Sequence, residues 1–111
     1  MLNPKFIEKI RQNGGKKLLA EVVELYLSDL KMILGQIREA LTGKNSTRLQ
    51  DRAHALKGCS LSLGAVKLSS LCDDLEHMAA AGGLLEANAI VDQLENEAAV
   101  VIGELHFQTS R

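Results

Sequence analysis

The sequence predicts an all-α protein, an antiparallel four-helix bundle with a short additional N-terminal helix. Apolar residues recur at steps of three and four along most of the 111 residues, which is the period of a helix with one buried face. No segment alternates with the period of two that is typical of a half-buried strand. Short turn sequences separate the long helical segments, and helices joined in this way pack antiparallel. The length suits one domain, so we expect residues 1–111 to form a single unit.

The N-terminal half should contain the short helix and the first long one. Asn3 is the expected N-cap and Pro4 the first helical residue of the short helix, which residues 13–15 (Asn-Gly-Gly) end. The first long helix is expected from about Lys16 to Leu41. A Thr-Gly-Lys-Asn turn at residues 42–45 follows it.

Three further helices complete the predicted bundle. The second long helix is capped by Asn45 or Ser46, and Gly64 either closes or kinks it. The third runs from Ala65 to about Ala81, and the fourth from about Leu84 to Phe107. Their expected core positions are Leu49, Ala53, Leu56, Ser60 and Leu63, then Leu68, Leu71, Cys72, Leu75 and Met78, then Leu84, Ala87, Val91, Leu94, Ala98, Val101 and Leu105.

Composition excludes several classes of function. A net charge of −1, 3% aromatic residues and no Trp argue against nucleic-acid binding. No apolar run reaches the ~20 residues that a membrane span needs, and the charged N-terminus does not resemble a signal peptide. The two cysteines are too few for a disulfide scaffold, so we expect a protein of the reducing cytoplasm with no membrane association.

One face of the second long helix carries the candidate chemistry. His54, Lys57, Gly58 and Leu61 lie at i, i+3, i+4 and i+7, so they share a face that is rotated away from the core position Ala53. Glycine costs a helix interior about 1 kcal/mol relative to alanine, and no core contact requires it at this position. The missing side chain leaves room for a large partner beside the imidazole, and Leu61 suits a docking surface.

The residue types on this face indicate phosphoryl transfer. An imidazole with a pKa of about 6.5 is largely neutral and nucleophilic at pH 7. A lysine one turn away can neutralise a transferred phosphoryl group. The pattern therefore favours a phosphoryl-accepting histidine, although a surface histidine beside a solvated lysine has the same spacing.

The sequence resembles histidine-containing phosphotransfer (HPt) domains over essentially its whole length. The resemblance rests on AHALKGCSLSLGA at residues 53–65 and LSSLCDDLE at residues 68–76. Cys59 stands where the family more often has Ser or Ala. The matching positions are His54, Leu56, Lys57, Gly58, Cys59, Ser60, Leu63, Gly64, Leu71, Cys72, Leu75 and Glu76.

The resemblance implies a phosphorelay intermediate rather than an enzyme. Nε2 of His54 would attack an aspartyl phosphate on a receiver domain and later pass the phosphoryl group to another receiver aspartate. Lys57 would hold the phosphoryl oxygens and Gly58 would admit the receiver. Glu76 would bond the other ring nitrogen and fix its tautomer, although a solvated helix acid would look the same in sequence.

The resemblance also implies the partners. Response-regulator receiver domains and a sensor histidine kinase are expected, with Mg²⁺ on the receiver, no cofactor on this chain, and a monomeric carrier. Arg48, Arg52 and Lys67 would meet an acidic receiver surface, unless they form an ordinary solvated face.

The rival interpretations are weaker. His77 and His106 stand alone near helix ends, and a metal site built from Cys59, Cys72 and His77 matches no zinc spacing, so we expect no metal. No glycine-rich nucleotide loop is present, which argues against a kinase. The alternative that stays open is an HPt-like docking module that binds a signalling partner without carrying phosphate.

Overall fold

The structure, a computed structural model, describes residues 4–109 and contains four helices. In chain order they are α1 (Pro4–Thr42), α2 (Ser46–Leu63), α3 (Val66–Ala80) and α4 (Leu84–Thr109). Each helix packs against two others, α1 against α2 and α4, and α3 against α2 and α4, so the four form a closed ring. No strand occurs within these residues. The predicted all-α bundle is confirmed.

Helix α1 joins the predicted N-terminal helix and the first long helix across a kink. Gly15 has φ 69° and ψ −162°, which is not helical and which glycine adopts at little cost. The predicted stop at residues 13–15 is therefore an interruption rather than a loop. The segment before it buries Ile7, and Arg11 Nη2 donates to Gln108 Oε1 of α4 at 3.3 Å. The expected N-cap, Asn3, lies outside the described residues.

Helix α2 has defined caps at both ends. Asn45 Oδ1 accepts a hydrogen bond from the Arg48 amide at 3.0 Å, as the N-cap prediction requires. Gly64 has φ 72°, and its amide donates to the carbonyl oxygen of Leu61. The caps fix where α2 begins and ends, and therefore which residues it presents on each face.

Loss of the N-cap should destabilise the bundle modestly. Replacing Asn45 with alanine removes the side-chain acceptor, and we expect the free energy of unfolding to fall by about 1 kcal/mol. Urea denaturation followed by circular dichroism measures this change. Asn45→Asp retains an acceptor and should stay within a few tenths of a kcal/mol of wild type. Equal losses in both variants would show that the loss does not come from the missing side-chain acceptor.

The buried residues follow the predicted faces of α2 and α4, whereas the buried face of α3 is rotated. All five predicted positions of α2 are buried, and so are those of α4 except Leu84, which is half-buried. On α3, Leu71 and Met78 are only half-buried, whereas Ser69 and Ala79 are buried. The buried stripe of α3 is thus turned slightly from the predicted one, because α3 divides its contacts between α2 and α4. Within the described chain, no helix combines the length and apolar character needed to cross a membrane.

Candidate functional site

A surface cavity of about 300 Å³ lies in the groove between α2 and α3. Its lining residues are Gln50, His54, Lys57, Asp73, Glu76, His77 and Ala80. The residues on α2 are spaced by four and three, and those on α3 lie at i, i+3, i+4 and i+7, so each set occupies one face of its helix. Because the helices run antiparallel, a step of three from His54 to Lys57 on α2 corresponds to a step of three back from Glu76 to Asp73 on α3. The site therefore consists of two side-by-side pairs.

The first pair is His54 and Glu76. The side chain of His54 is 72% exposed, and its Nδ1 lies 3.1 Å from Glu76 Oε2 and 3.3 Å from Oε1. A carboxylate accepts hydrogen bonds and donates none, so Nδ1 carries the proton in this contact. The neutral ring then keeps its lone pair on Nε2. Glu76 thus lies where it can hold the tautomer that leaves Nε2 nucleophilic.

The second pair is Lys57 and Asp73. Lys57 Nζ donates to Asp73 Oδ1 at 2.7 Å. This hydrogen bond raises the pKa of Lys57 and lowers the pKa of Asp73, so both groups are charged at neutral pH. Asp73 is not among the residues predicted from sequence, although the antiparallel register that pairs His54 with Glu76 also pairs Lys57 with Asp73. That relation was the available signal.

His77 borders the same cavity. Its Nδ1 donates to the main-chain oxygen of Asp73 at 2.7 Å and lies 3.7 Å from Asp73 Oδ2. The ring is 77% exposed, which agrees with the expectation of a solvent-facing histidine. His77 nevertheless shares the cavity with His54, which its position near a helix end did not indicate.

Gly58 and Leu61 extend the exposed face of α2 beyond the cavity. A Cβ atom at Gly58 would have no neighbour within 4 Å, and the side chain of Leu61 is largely exposed. No intramolecular contact therefore requires glycine at this position. The surface beside His54 is open to a partner.

The structure separates the three basic residues proposed for docking. Arg48 is exposed near the start of α2, and Arg52 Nη1 donates to Gln36 Oε1 of α1 at 3.0 Å. Lys67 Nζ lies 3.7 Å from Glu97 Oε1 of α4 and lines a different cavity, between α3 and α4. Lys67 is therefore on the face of α3 that turns towards α4, away from the cavity lined by His54.

The two cysteines are free, and burial keeps their thiols protonated. Burial raises the pKa of Cys59 to about 11 and that of Cys72 to about 12. Metal ligation requires a thiolate, which neither residue forms readily at neutral pH. Across residues 4–109, no three His, Cys, Asp or Glu side chains are arranged to hold a metal ion.

Comparison with known proteins identifies the class of this four-helix bundle, which carries a paired, exposed histidine on α2. The profile of the Hpt domain family matches residues 21–103. Histidine-containing phosphotransfer protein 4 of Arabidopsis thaliana is 27% identical over 109 residues, which cover 95% of this chain and 86% of that protein. The crystal structure of HptB from Pseudomonas aeruginosa PAO1 superposes with a TM-score of 0.89 and 26% identity, covering 99% of this chain and 95% of that one.

The chain belongs to the Hpt domain family. It is a phosphorelay intermediate of two-component signal transduction, as the sequence predicts. The alternative of a docking module without phosphate is not favoured.

Proposed function

We propose that His54 receives the phosphoryl group and hands it on. Nε2 attacks the phosphorus of an aspartyl phosphate on a receiver domain. The bond between phosphorus and the aspartate oxygen breaks, and its electron pair leaves with the carboxylate. Transfer to a second receiver runs the same step in reverse. The supporting observation is the contact of His54 Nδ1 with Glu76 at 3.1 Å, which in the neutral ring places the proton on Nδ1 and the lone pair on the exposed Nε2.

Two neighbours stabilise the charges that form during transfer. The imidazole becomes positively charged as the N–P bond forms, and Glu76 accepts the Nδ1 hydrogen bond of that cation. Lys57 lies one turn further along α2, where its ammonium group attracts the phosphoryl oxygens. Such a site works by positioning and by charge stabilisation, with little covalent chemistry of its own.

The receiver domain supplies the rest of the catalytic machinery in this proposal. Mg²⁺ and the acidic pocket belong to the receiver, so the chain acts as a carrier rather than as an enzyme. The donors and acceptors are response-regulator receivers, with a sensor histidine kinase upstream. We place the exchange in the cytoplasm, because the free thiols of the chain suit a reducing compartment. In this proposal the chain acts as a monomer.

The receiver docks on the exposed face formed by Gly58 and Leu61. Arg48 and Arg52, which precede His54 on α2, attract its acidic surface and speed encounter. Lys67 contributes only if the receiver also reaches the α3–α4 side of the bundle, since it lines the cavity there.

A side chain at Gly58 should stabilise the free protein and slow the relay. Gly58→Ala adds a methyl group that meets nothing within the chain, so the free energy of unfolding should rise by about 0.5–1 kcal/mol. The same methyl obstructs the receiver, and we expect KM for the receiver to increase about fivefold, the equivalent of about 1 kcal/mol. Thermal unfolding and transfer kinetics give the two numbers.

Gly103→Ala is the matched control for this prediction. Gly103 lies in α4, where an added Cβ also has no neighbour within 4 Å. It should give the same gain in stability with no change in KM, because α4 lies across the bundle from α2. Unchanged transfer in Gly58→Ala would contradict the docking assignment.

The deciding experiment is a transfer assay. The purified chain is mixed with receiver domains that carry ³²P on aspartate. We expect label on the chain that is acid-labile and alkali-stable, as a phosphohistidine is. Peptide mapping at alkaline pH should place the label on His54. Label on another residue, or no label from any receiver, would refute the proposal.

A further inference from the structure

Lys57 is already occupied in the unphosphorylated chain. Its Nζ lies 2.7 Å from Asp73 Oδ1, which is shorter than either contact between His54 and Glu76. The side chains of Lys57 and Asp73 are 31% and 43% exposed, so both remain accessible from the cavity. A phosphoryl group on His54 would therefore approach a lysine, Lys57, that is already paired with Asp73.

The charges around the cavity distinguish Lys57 from a lysine in an isolated surface ion pair. Lys57 supplies one positive charge, whereas Asp73 and Glu76 supply two negative ones. A phosphoryl group adds about 1.5 to 2 further negative charges at pH 7. Both it and Asp73 need the same ammonium group, which has three donors on a flexible stem.

Asp73 is held where it can compete. It projects from α3 next to Lys57, and His77 Nδ1 binds its main-chain oxygen at 2.7 Å and lies 3.7 Å from its second carboxylate oxygen. Its carboxylate is thus placed between one lysine and one histidine at the edge of the cavity.

We propose that Asp73 is a positioning residue that competes with the phosphoryl group for Lys57 and thereby keeps the phosphohistidine easy to discharge. In the free chain Asp73 holds Lys57. When the phosphoryl group arrives on Nε2, Lys57 turns towards it and leaves Asp73 in part. When the phosphoryl group departs, Asp73 recaptures the lysine. The inference rests on His54 as the acceptor.

The first test measures the equilibrium with a phosphorylated receiver domain that donates to the wild-type chain. In Asp73→Asn the lysine is released, so the ratio of phosphorylated to free chain should increase about two- to fivefold, the range expected for loss of an exposed ion pair. Asp74→Asn is the matched control, because it makes the same change of charge at the next, exposed residue. It should leave the ratio unchanged.

A double-mutant cycle shows whether Asp73 acts through Lys57. In a Lys57→Gln background, the effect of Asp73→Asn should disappear. An undiminished effect in that background would mean direct repulsion between the carboxylate and the phosphoryl group, and would overturn the proposal. A decrease in the phosphorylated fraction, or equal changes in Asp73→Asn and Asp74→Asn, would overturn it as well.

The second test needs no receiver and separates this inference from the proposed function. Phosphoramidate, a small phosphoryl donor, phosphorylates His54 directly. NMR titration of the Lys57 Cε signal then follows the pKa of Lys57. Asp73→Asn should lower the pKa of Lys57 in the free protein, and loading should raise it again. If this occurs while no receiver labels the wild-type chain, the relay proposal fails and the exchange of Lys57 stands. If Asp73→Asn leaves the pKa of Lys57 unchanged in the free protein, the inference fails.

Discussion

Replacing His54 with glutamine should reduce label transfer from a phosphorylated receiver to background. The glutamine amide has no nucleophilic lone pair on nitrogen, so no N–P bond forms. The fold should be unaffected, since the side chain is 72% exposed and substitutions at such sites usually change stability by less than about 0.5 kcal/mol. Radiolabel counting and the thermal midpoint therefore distinguish lost chemistry from lost folding.

His77→Gln is the matched control for His54→Gln. His77 lines the same cavity and is 77% exposed. The two variants therefore make the same substitution at positions of similar exposure. We expect His77→Gln to retain at least about half of the transfer rate, because its ring does not meet the phosphorus. Label that persists in His54→Gln and disappears in His77→Gln would move the acceptor to α3.

The second large effect is expected at Glu76. Glu76→Leu removes the acceptor for Nδ1–H, so the ring of His54 loses both its orientation and its preferred tautomer. We expect the transfer rate to fall about 10- to 100-fold, by analogy with the loss found when the hydrogen-bond partner that orients a metal-binding histidine is removed. Rapid-quench kinetics with a labelled receiver give the rate.

A tautomer measurement separates this role from a structural one. ¹⁵N NMR should find Nδ1 protonated and Nε2 unprotonated in the wild-type chain at alkaline pH, and a mixture of both tautomers in Glu76→Leu. Glu76→Gln keeps an oxygen acceptor without the charge, and its transfer rate should lie between those of the other two proteins. If Glu76→Leu transferred at the wild-type rate, the orienting role would be wrong.

The helices and the histidine face could be predicted from sequence because both depend on local period. Spacing alone places Lys57 and Gly58 on the face of His54, and the turn sequences define the ends of α2. The sequence also marked residues 13–15 as a break, although it predicted a helix end there and the structure has a kink at Gly15 within α1. Each of these features depends on residues that lie close together in the chain.

The alignment of one helix against another was harder to predict, because the spacing of apolar residues along a helix does not reveal how far that helix is rotated against its neighbour. The position of Glu76 beside His54 came from resemblance to a family and not from spacing. Asp73 was missed although it lies on the same face of α3, and Lys67 was grouped with the docking residues although it turns towards α4. Knowledge of how α2 and α3 are aligned would have indicated both the position of Asp73 and the direction of Lys67.

The two-residue turn at residues 64–65 has a kinetic consequence. It joins α2 to α3 so closely that 22 residues separate His54 from Glu76 and 16 separate Lys57 from Asp73. Closing such short loops costs little chain entropy, and contacts this local form quickly during folding. The reactive centre is therefore carried by one helical hairpin, while α1 and α4 serve as its support.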